Sequence, residues 1–333
     1  MGSRWHLLVL WAAVAGLVGC GPITFTVGSG PDAGSIQSTV VERDGAFVSN
    51  QVALVDVSGL IHNGRRRGLL SESENPVGRL HEQLEAARSD PRIKAVILRL
   101  NTPGGTVTAS DVMYRQVQRF RRRSGKPVVA LMMDVAASGG YYLACACDRV
   151  VAYPTSITGS IGVIMQTVSF KPALDRIGIR ADAITSGPNK AAGSPLGELT
   201  AEHRRLLQEM VNDFYAAFVK VVAEARPQLA GEQLARATDG RVFTGTQALG
   251  AGLVDATGDL YDAFALAKQL AGVQRAHLVM LHRPGRSVGS VFAAGGGPPA
   301  GLQVNLAQFN LPGLVEAGDT PLLFMYVWRP QLP

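Results

Sequence analysis

The sequence predicts an α/β fold with a mostly parallel sheet. Short apolar, β-branched runs of the kind that form buried strands occur at 52–57 (VALVDV), 95–100 (AVILRL) and 127–132 (PVVALM). Segments with apolar residues at helical spacing lie between them, and strands that alternate with helices are typical of parallel βαβ units. At 333 residues and 47% apolar content, the chain is long enough to bury a sizeable core.

The remaining elements are predicted from periodicity and from Gly and Pro stop signals. One helix is expected to begin at Thr108, where Asp111 completes a capping-box pattern. Further strands are predicted at 149–153, 180–185 and 276–281, and helices at 77–89, 141–147, 171–177, 200–225, 230–237, 246–250 and 261–271.

The first twenty residues predict an export signal with a lipid attachment site. Arg4 gives a positive start, and the apolar run 7–18 is short for a bilayer span. LVGC at 17–20 resembles a bacterial lipobox, which implies cleavage of a 1–19 signal peptide and acylation of Cys20. The chain would then be lipid-anchored on the exported side of a bacterial membrane, inner or outer. An ordinary signal peptide or a short signal anchor is the alternative.

Three regions are expected after the signal. Residues 20–48 are rich in Gly, Ser, Thr and Pro and predict a flexible tether. Residues 49–284 form the single domain. Residues 285–333 form a Gly/Pro-rich tail, whose end at 321–328 (PLLFMYVW) is apolar enough to need a partner surface.

Composition argues against several classes of function. The net charge is +6, but the basic runs at 119–123 and 65–67 are not interleaved with aromatics, and aromatic content is 6%, so nucleic acid is not an expected partner. Cys145 and Cys147 are too close in sequence for a good disulfide and lack the further ligands of a zinc site, so buried small hydrophobes are expected. No metal or cofactor is predicted.

Ser138 is the strongest candidate for a nucleophile. It lies in DVAASGGYYLACACD (134–148), between a predicted strand and a predicted helix, and Gly139 and Gly140 follow it. Such a turn exposes the serine Oγ, points helical N–H groups at the attacked group and leaves room for substrate. The alternative is that Ser138 merely caps the helix.

A serine nucleophile needs a base, and the sequence favours lysine over histidine. None of the six histidines has a Gly-rich or acidic setting that suggests a triad, although sequence distance does not exclude one. Lysine is scarce beside arginine, and only Lys190 lies in a small-residue loop, SGPNKAAGSP at 186–195. Desolvation there would lower its pKa and make it a usable general base.

Three loops follow predicted strands, at 101–105, 136–140 and 186–195. In a parallel sheet these strand ends share one edge, where α/β sites are built. The amides of Gly104 or Gly105 and of Gly139 are candidates for an oxyanion hole because glycine leaves them unobstructed.

These motifs resemble, in order, those of the signal peptide peptidase SppA family, the S49 serine peptidases. The resemblance rests on NTPGG (101–105), AASGGYYLA (136–144), TGSIGV (158–163), SGPNKAAGSP (186–195) and GRVFTGTQALGAGLVDATG (240–258), and it covers about 51–272. It implies a Clp-protease/crotonase-like spiral fold.

The resemblance also implies a catalytic set: Ser138 as nucleophile, Lys190 as general base, Ser160 as the residue that orients the lysine, and Gly105 and Gly139 as oxyanion donors. A single domain resembles the short form, which assembles into a homo-oligomeric ring with serine and lysine of one site on neighbouring subunits. The implied substrates are residual signal peptides and other small membrane-associated peptides, cut after small or apolar residues.

Some features depart from the family pattern. Thr102 replaces the usual serine, a lipobox replaces a transmembrane anchor, and the tail has no counterpart. Two other interpretations are a non-catalytic, peptide-binding lipoprotein scaffold of the same fold and a crotonase-type enzyme acting on CoA thioesters, which an exported chain would rarely meet.

Overall fold

The structure is a computed structural model that describes residues 35–64, 74–283, 290–291 and 325–327. The expected signal peptide (1–19), Cys20 and the tether as far as residue 34 lie outside the described residues, as does most of the tail. No helix in the described ranges is both long enough and apolar enough to cross a membrane.

Strands and helices alternate along the described chain. The strands are β1 (Gln37–Glu42), β2 (Gln51–Ser58), β3 (Ile93–Thr102), β4 (Gly104–Thr106), β5 (Val128–Ala137), β6 (Arg149–Ala152), β7 (Ile157–Gly159), β8 (Val242–Thr244), β9 (Ala256–Thr257), β10 (His277–His282) and β11 (Met325–Val327). The helices are α1 (Pro76–Ser89), α2 (Val107–Ser124), α3 (Gly139–Ala144), α4 (Lys171–Arg176), α5 (Ala201–Ala225), α6 (Gly231–Ala237), α7 (Gly245–Gly250) and α8 (Leu260–Leu270).

Most strands join one sheet, in the order β1-β10-β2-β3-β5-β6-β9, with β7 pairing with both β5 and β8. The pairs from β10 to β9 along this order are parallel, as is β5 with β7. Only β1 with β10 and β7 with β8 are antiparallel within this sheet. The predicted α/β class with a mostly parallel sheet is confirmed.

The sheet is buried on both faces, which explains its near-continuous apolar strands. Along β2, Ala53 and Val55 face one core, which also contains buried residues of α1, α2, α3 and α5. Val52 and Leu54 face the other core, which α8 covers. The helix that follows Ser138 is therefore packed into the larger of the two cores.

Three local predictions were wrong. The predicted tether (20–48) contains β1, which pairs with β10 some 240 residues away, a partner that local composition does not reveal. Helix α2 is capped by Thr106, whose side chain accepts from the Ala109 N–H, rather than beginning at Thr108. The segment 180–185, where a strand was expected, has no regular structure, and no strand of the described residues pairs with it.

Candidate active site

Ser138 lies at the sharp turn between β5 and α3 with a strained backbone. Its φ is 52° and its ψ is −114°, a conformation that L-residues rarely adopt. Its N–H donates to Gly159 O (2.7 Å), and its carbonyl accepts from the Tyr142 N–H (2.8 Å). Such strain costs of the order of 1–3 kcal/mol and clusters at functional sites.

The side chain of Ser138 does not cap the helix. Among the described residues no group hydrogen-bonds to its Oγ, although the atom is buried. The capping alternative is therefore wrong. A buried polar atom without a partner is costly, which indicates that this hydroxyl is held for something other than stability.

Helix α3 is fixed firmly behind the serine. Tyr141 is fully buried and donates its hydroxyl to Leu253 O (2.8 Å), and burial raises its pKa well above 10. Tyr142 donates to Asp111 (3.0 Å), and its ring packs edge-on against Phe218. These contacts hold the first turn of α3, whose free N–H groups include that of Gly139.

Ser160 lies beside Ser138 at the neighbouring strand end. Ala137 and Gly159 are paired in the parallel β5–β7 ladder, so the next residue of each strand leaves the sheet at the same edge. Ser160 also has a positive φ (50°), and its N–H donates to Arg241 O (2.7 Å). Gly159 is required here because its φ is 81° and an added Cβ would lie 2.9 Å from Arg241 O.

The Gly104–Gly105 turn lies against residue 61. The Ile61 N–H donates to Gly104 O (2.8 Å), and the Thr106 N–H donates to Ile61 O (2.9 Å). A Cβ on Gly105 would lie only 1.8 Å from Ile61 O, so only glycine fits there.

Thr102 links this turn to α3, the helix that follows Ser138. Its hydroxyl donates to Gly59 O (2.5 Å) and accepts from the Gly104 N–H (3.1 Å), while its methyl group fills the space where a Cβ on Gly140 would lie. The Gly104 amide is therefore engaged by a side chain of its own turn, so Gly105 is the preferred candidate of the two predicted oxyanion donors. Sequence reasoning noted Thr102 only as a departure and missed this positioning contact.

Lys190 makes no hydrogen bond to Ser138 within the chain. It is exposed in an irregular loop, and within the described residues its Nζ makes no hydrogen bond or ion pair. The structure thus brings Ser138, Ser160, Gly105 and Gly139 to one region of the sheet edge, and among the described residues no hydrogen bond joins Lys190 to Ser138.

The segment around Lys190 carries many exposed apolar side chains. Between residues 164 and 196 the exposed members are Ile164, Val168, Ile177, Ile179, Ile184 and Leu196. The adjoining helix α5 buries only Phe218, Val221 and Val222, all in its C-terminal half. Beside this segment, a cleft of about 310 Å³ is lined by Ser160, Ile164, Val211 and Tyr215, among others.

The two cysteines that the structure describes, Cys145 and Cys147, lie in the core. Burial raises the pKa of the Cys145 thiol to about 12, as expected for an inert small hydrophobe, and Cys147 is partly buried. In the part of the chain that the structure describes, no group of three His, Cys, Asp or Glu side chains could hold a metal ion.

Comparisons with known proteins show that the chain is similar to a class of α/β peptidases. A model described as "Peptidase family S49" matches residues 120–274. A putative protease of Synechocystis is 35% identical over 67% of this chain and 75% of its own length. The chain belongs to peptidase family S49.

Other relatives are longer than this chain. "Protease 4" of Salmonella typhi is 36% identical over 70% of this chain and 37% of its own length. "Serine protease SPPA, chloroplastic" of Arabidopsis thaliana is 33% identical over 85% of this chain and 42% of its own length. The chain thus spans about two fifths of the length of these two relatives.

Proposed function

We propose that this chain is a membrane-tethered serine endopeptidase that uses a Ser–Lys dyad, Ser138 and Lys190. The main support for the proposal is the strained turn at Ser138. This turn places a buried Oγ, which has no hydrogen-bond partner among the described residues, at the start of α3 and beside the Gly105 turn. Family membership supports the same reaction class.

Each residue of the proposed site has a defined role in peptide hydrolysis. Neutral Lys190 Nζ accepts the hydroxyl proton while Ser138 Oγ attacks the scissile carbonyl, and the Ser160 hydroxyl orients the amine. The N–H groups of Gly105 and Gly139 stabilise the negative charge that develops on the carbonyl oxygen. Lys190 then protonates the leaving amine, and a water activated by the same lysine hydrolyses the acyl-enzyme.

A second copy of the chain supplies the lysine. The Lys190 loop lies within the exposed apolar segment 164–196, and an apolar surface of this kind marks an interaction site. Covering it with another protomer would bury these side chains and remove Lys190 from solvent. In a closed ring every Ser138 would face a Lys190 of its neighbour.

The proposed substrates are residual signal peptides and other small membrane-associated peptides, cut after small or apolar residues. Acylation of Cys20 would keep the enzyme on the exported side of a bacterial membrane, where such peptides are released. The support for this substrate class is the motif resemblance and the lipobox.

The mechanism is tested with four variants and a fluorogenic peptide that has alanine at the cleavage site. Ser138→Ala, Lys190→Ala and Lys190→Arg should each lower kcat/KM by about 10³-fold or more, because arginine does not lose its proton. Lys171→Ala is the matched control, since that lysine is also exposed but pairs with Asp175.

Urea unfolding should show no loss of stability in any of the four variants, and Ser138→Ala should be slightly more stable because it removes a buried hydroxyl that has no partner among the described residues. Full activity in Ser138→Ala or Lys190→Arg would overturn the mechanism. A non-catalytic, peptide-binding scaffold would instead bind the peptide, cleave none of it and leave Ser138 unlabelled by a serine-directed phosphonate.

A further inference from the structure

His203 lies in the first turn of α5 and contacts the base loop, the segment 186–195 that carries the proposed base Lys190. Its Nε2 lies 3.1 Å from Pro188 O, two residues before Lys190 in the chain. A carbonyl oxygen only accepts a hydrogen bond, so Nε2 is the ring nitrogen that carries the hydrogen in this contact. The sequence predicts a helical position for His203, and only the fold brings its ring against the base loop.

The position of the His203 ring is set by α5. Thr200 caps the helix, and its hydroxyl accepts from the His203 N–H (3.1 Å). The Arg204 N–H donates to Thr200 O (2.9 Å), which closes the first turn. The C-terminal half of the same helix packs into the core through Phe218 and Val222. His203 is therefore held by an element that is itself fixed to the rest of the domain.

The base loop makes few hydrogen bonds to other elements. The N–H groups inside it donate to carbonyls three residues earlier, as that of Lys190 does (3.2 Å), and these bonds only close turns within the loop. Among the described residues, its hydrogen bonds to other elements are that of the Phe170 N–H to Pro195 O (2.7 Å) and that of His203 to Pro188 O. The second of these is the one next to the proposed base.

We propose that His203 is a positioning residue, whose hydrogen bond to Pro188 O fixes the base loop so that Lys190 is presented to Ser138 of the neighbouring copy. The inference rests on the proposed function, because it gives Lys190 the role of the base. The ring of Pro188 fixes its own φ at about −65°, and the bond from His203 fixes the orientation of the next peptide unit. Together they determine the direction in which the chain enters Lys190.

The other ring nitrogen of His203 takes no part in this contact. Nδ1 is buried and has no hydrogen-bond partner among the described residues. A buried acceptor without a partner is costly, so the contact of Nε2 explains the placement of this ring better than the stability of α5 does. What the position requires of residue 203 is one hydrogen-bond donor at a defined distance from the backbone.

The test uses two amide variants of the full chain. The amide nitrogen of a glutamine reaches the position of histidine Nε2, whereas that of an asparagine reaches only the position of Nδ1. His203→Gln should therefore keep the bond to Pro188 O, and His203→Asn should lose it. Arg204→Gln, in the same turn of α5, is the matched control because the Arg204 side chain is exposed and has no ion pair or hydrogen bond among the described residues.

The first readout needs no catalysis. On a Ser138→Ala background, amide hydrogen exchange followed by mass spectrometry measures the opening of the base loop. His203→Asn should exchange about fivefold faster there than the parent chain, because it has lost one hydrogen bond, and His203→Gln and Arg204→Gln should match the parent. Equal exchange in the asparagine and glutamine variants overturns the proposal.

The second readout is hydrolysis of the fluorogenic peptide with Ser138 intact. His203→Asn should lower kcat about tenfold and leave KM unchanged, because a displacement of the base by about 1 Å impairs catalysis while no peptide-binding group is lost. His203→Gln should have the kcat of the parent chain. An unaltered kcat in His203→Asn, or the same loss in both variants, overturns the positioning role and leaves the peptidase in place.

Urea unfolding separates this role from a structural one. A histidine that served only stability would lower the urea midpoint of His203→Asn and leave kcat unchanged. If neither the parent chain nor any variant hydrolysed the peptide, the peptidase and the role of Lys190 as its base would be rejected. The exchange rates would then still show whether His203 holds the base loop.

Discussion

Gly105→Ala is the substitution whose effect follows most directly from the geometry. The new Cβ would lie 1.8 Å from Ile61 O, 2.5 Å from its carbonyl carbon and 2.7 Å from its Cα, where an ordinary contact starts near 3.4 Å. All three atoms are backbone, so no side chain can rotate away. Strand β4 would have to move by about 1.5 Å to reach ordinary contact distances.

That displacement breaks both backbone hydrogen bonds between Ile61 and its neighbours in β4. At about 1 kcal/mol each, and more where a buried group is left unpaired, the free energy of unfolding should fall by about 2–4 kcal/mol. The Gly105 N–H would also leave the position proposed for it in the oxyanion hole, and the loss of one such donor lowers kcat by about 10²–10³-fold.

Urea unfolding and steady-state hydrolysis measure the two effects separately. The matched control is Gly250→Ala in α7, where no atom lies within 4 Å of the added Cβ. It should leave kcat unchanged and the stability unchanged or slightly higher. If the Gly105→Ala variant kept the unfolding midpoint and kcat of the parent chain, the reasoning would be refuted.

Three other changes have defined outcomes. Thr102→Val removes the hydroxyl that positions the Gly104 turn and should cost about 2 kcal/mol of stability and lower kcat. Thr102→Ser keeps the hydroxyl and should retain kcat while losing only about 1 kcal/mol for the buried methyl group, as urea unfolding and peptide hydrolysis would show. Asp56→Ala leaves Arg99 as a buried charge without its carboxylate and should lower the free energy of unfolding by about 3–5 kcal/mol; a loss under about 1 kcal/mol would contradict this. The hydrogen bond from Lys268 lowers the pKa of Asp44 in the folded chain. The Asp44 carboxylate therefore contributes fully to the free energy of unfolding above pH 3.8, and this contribution is lost as the pH falls through the lowered pKa. The difference in urea midpoint between the parent chain and Asp44→Asn should therefore be present at neutral pH and shrink as the pH falls below 3.8, and a difference independent of pH would argue against this role.

The elements that the sequence predicts correctly are those whose local pattern of apolar residues and glycines is sufficient to define them. The strands β2, β3 and β5 are continuous apolar runs, and α5 is a long amphipathic segment between Thr200 and Pro227, so each is recognisable without its partners. The turn at Ser138 was predicted from its glycines, because a sharp strand-to-helix turn needs small residues on one side.

What the sequence did not reveal depends on partners far along the chain. Strand β1 exists because β10 offers an edge, and β11 because β4 does. The segment 180–185 was expected to form a strand but pairs with no strand among the described residues. The role of Thr102 depends on Gly59, a contact between two strand ends that no spacing rule predicts.

The central claim is that Ser138 and Lys190 act together across a contact between two copies. Ser138→Ala and Lys190→Ala, each inactive alone, are co-expressed in equal amounts and assayed as a mixture with the fluorogenic peptide. In a randomly assembled ring, about a quarter of the sites combine an intact Ser138 with an intact Lys190 of the neighbour, so about a quarter of the parent activity should return. A co-assembled mixture as inactive as its components would contradict the account.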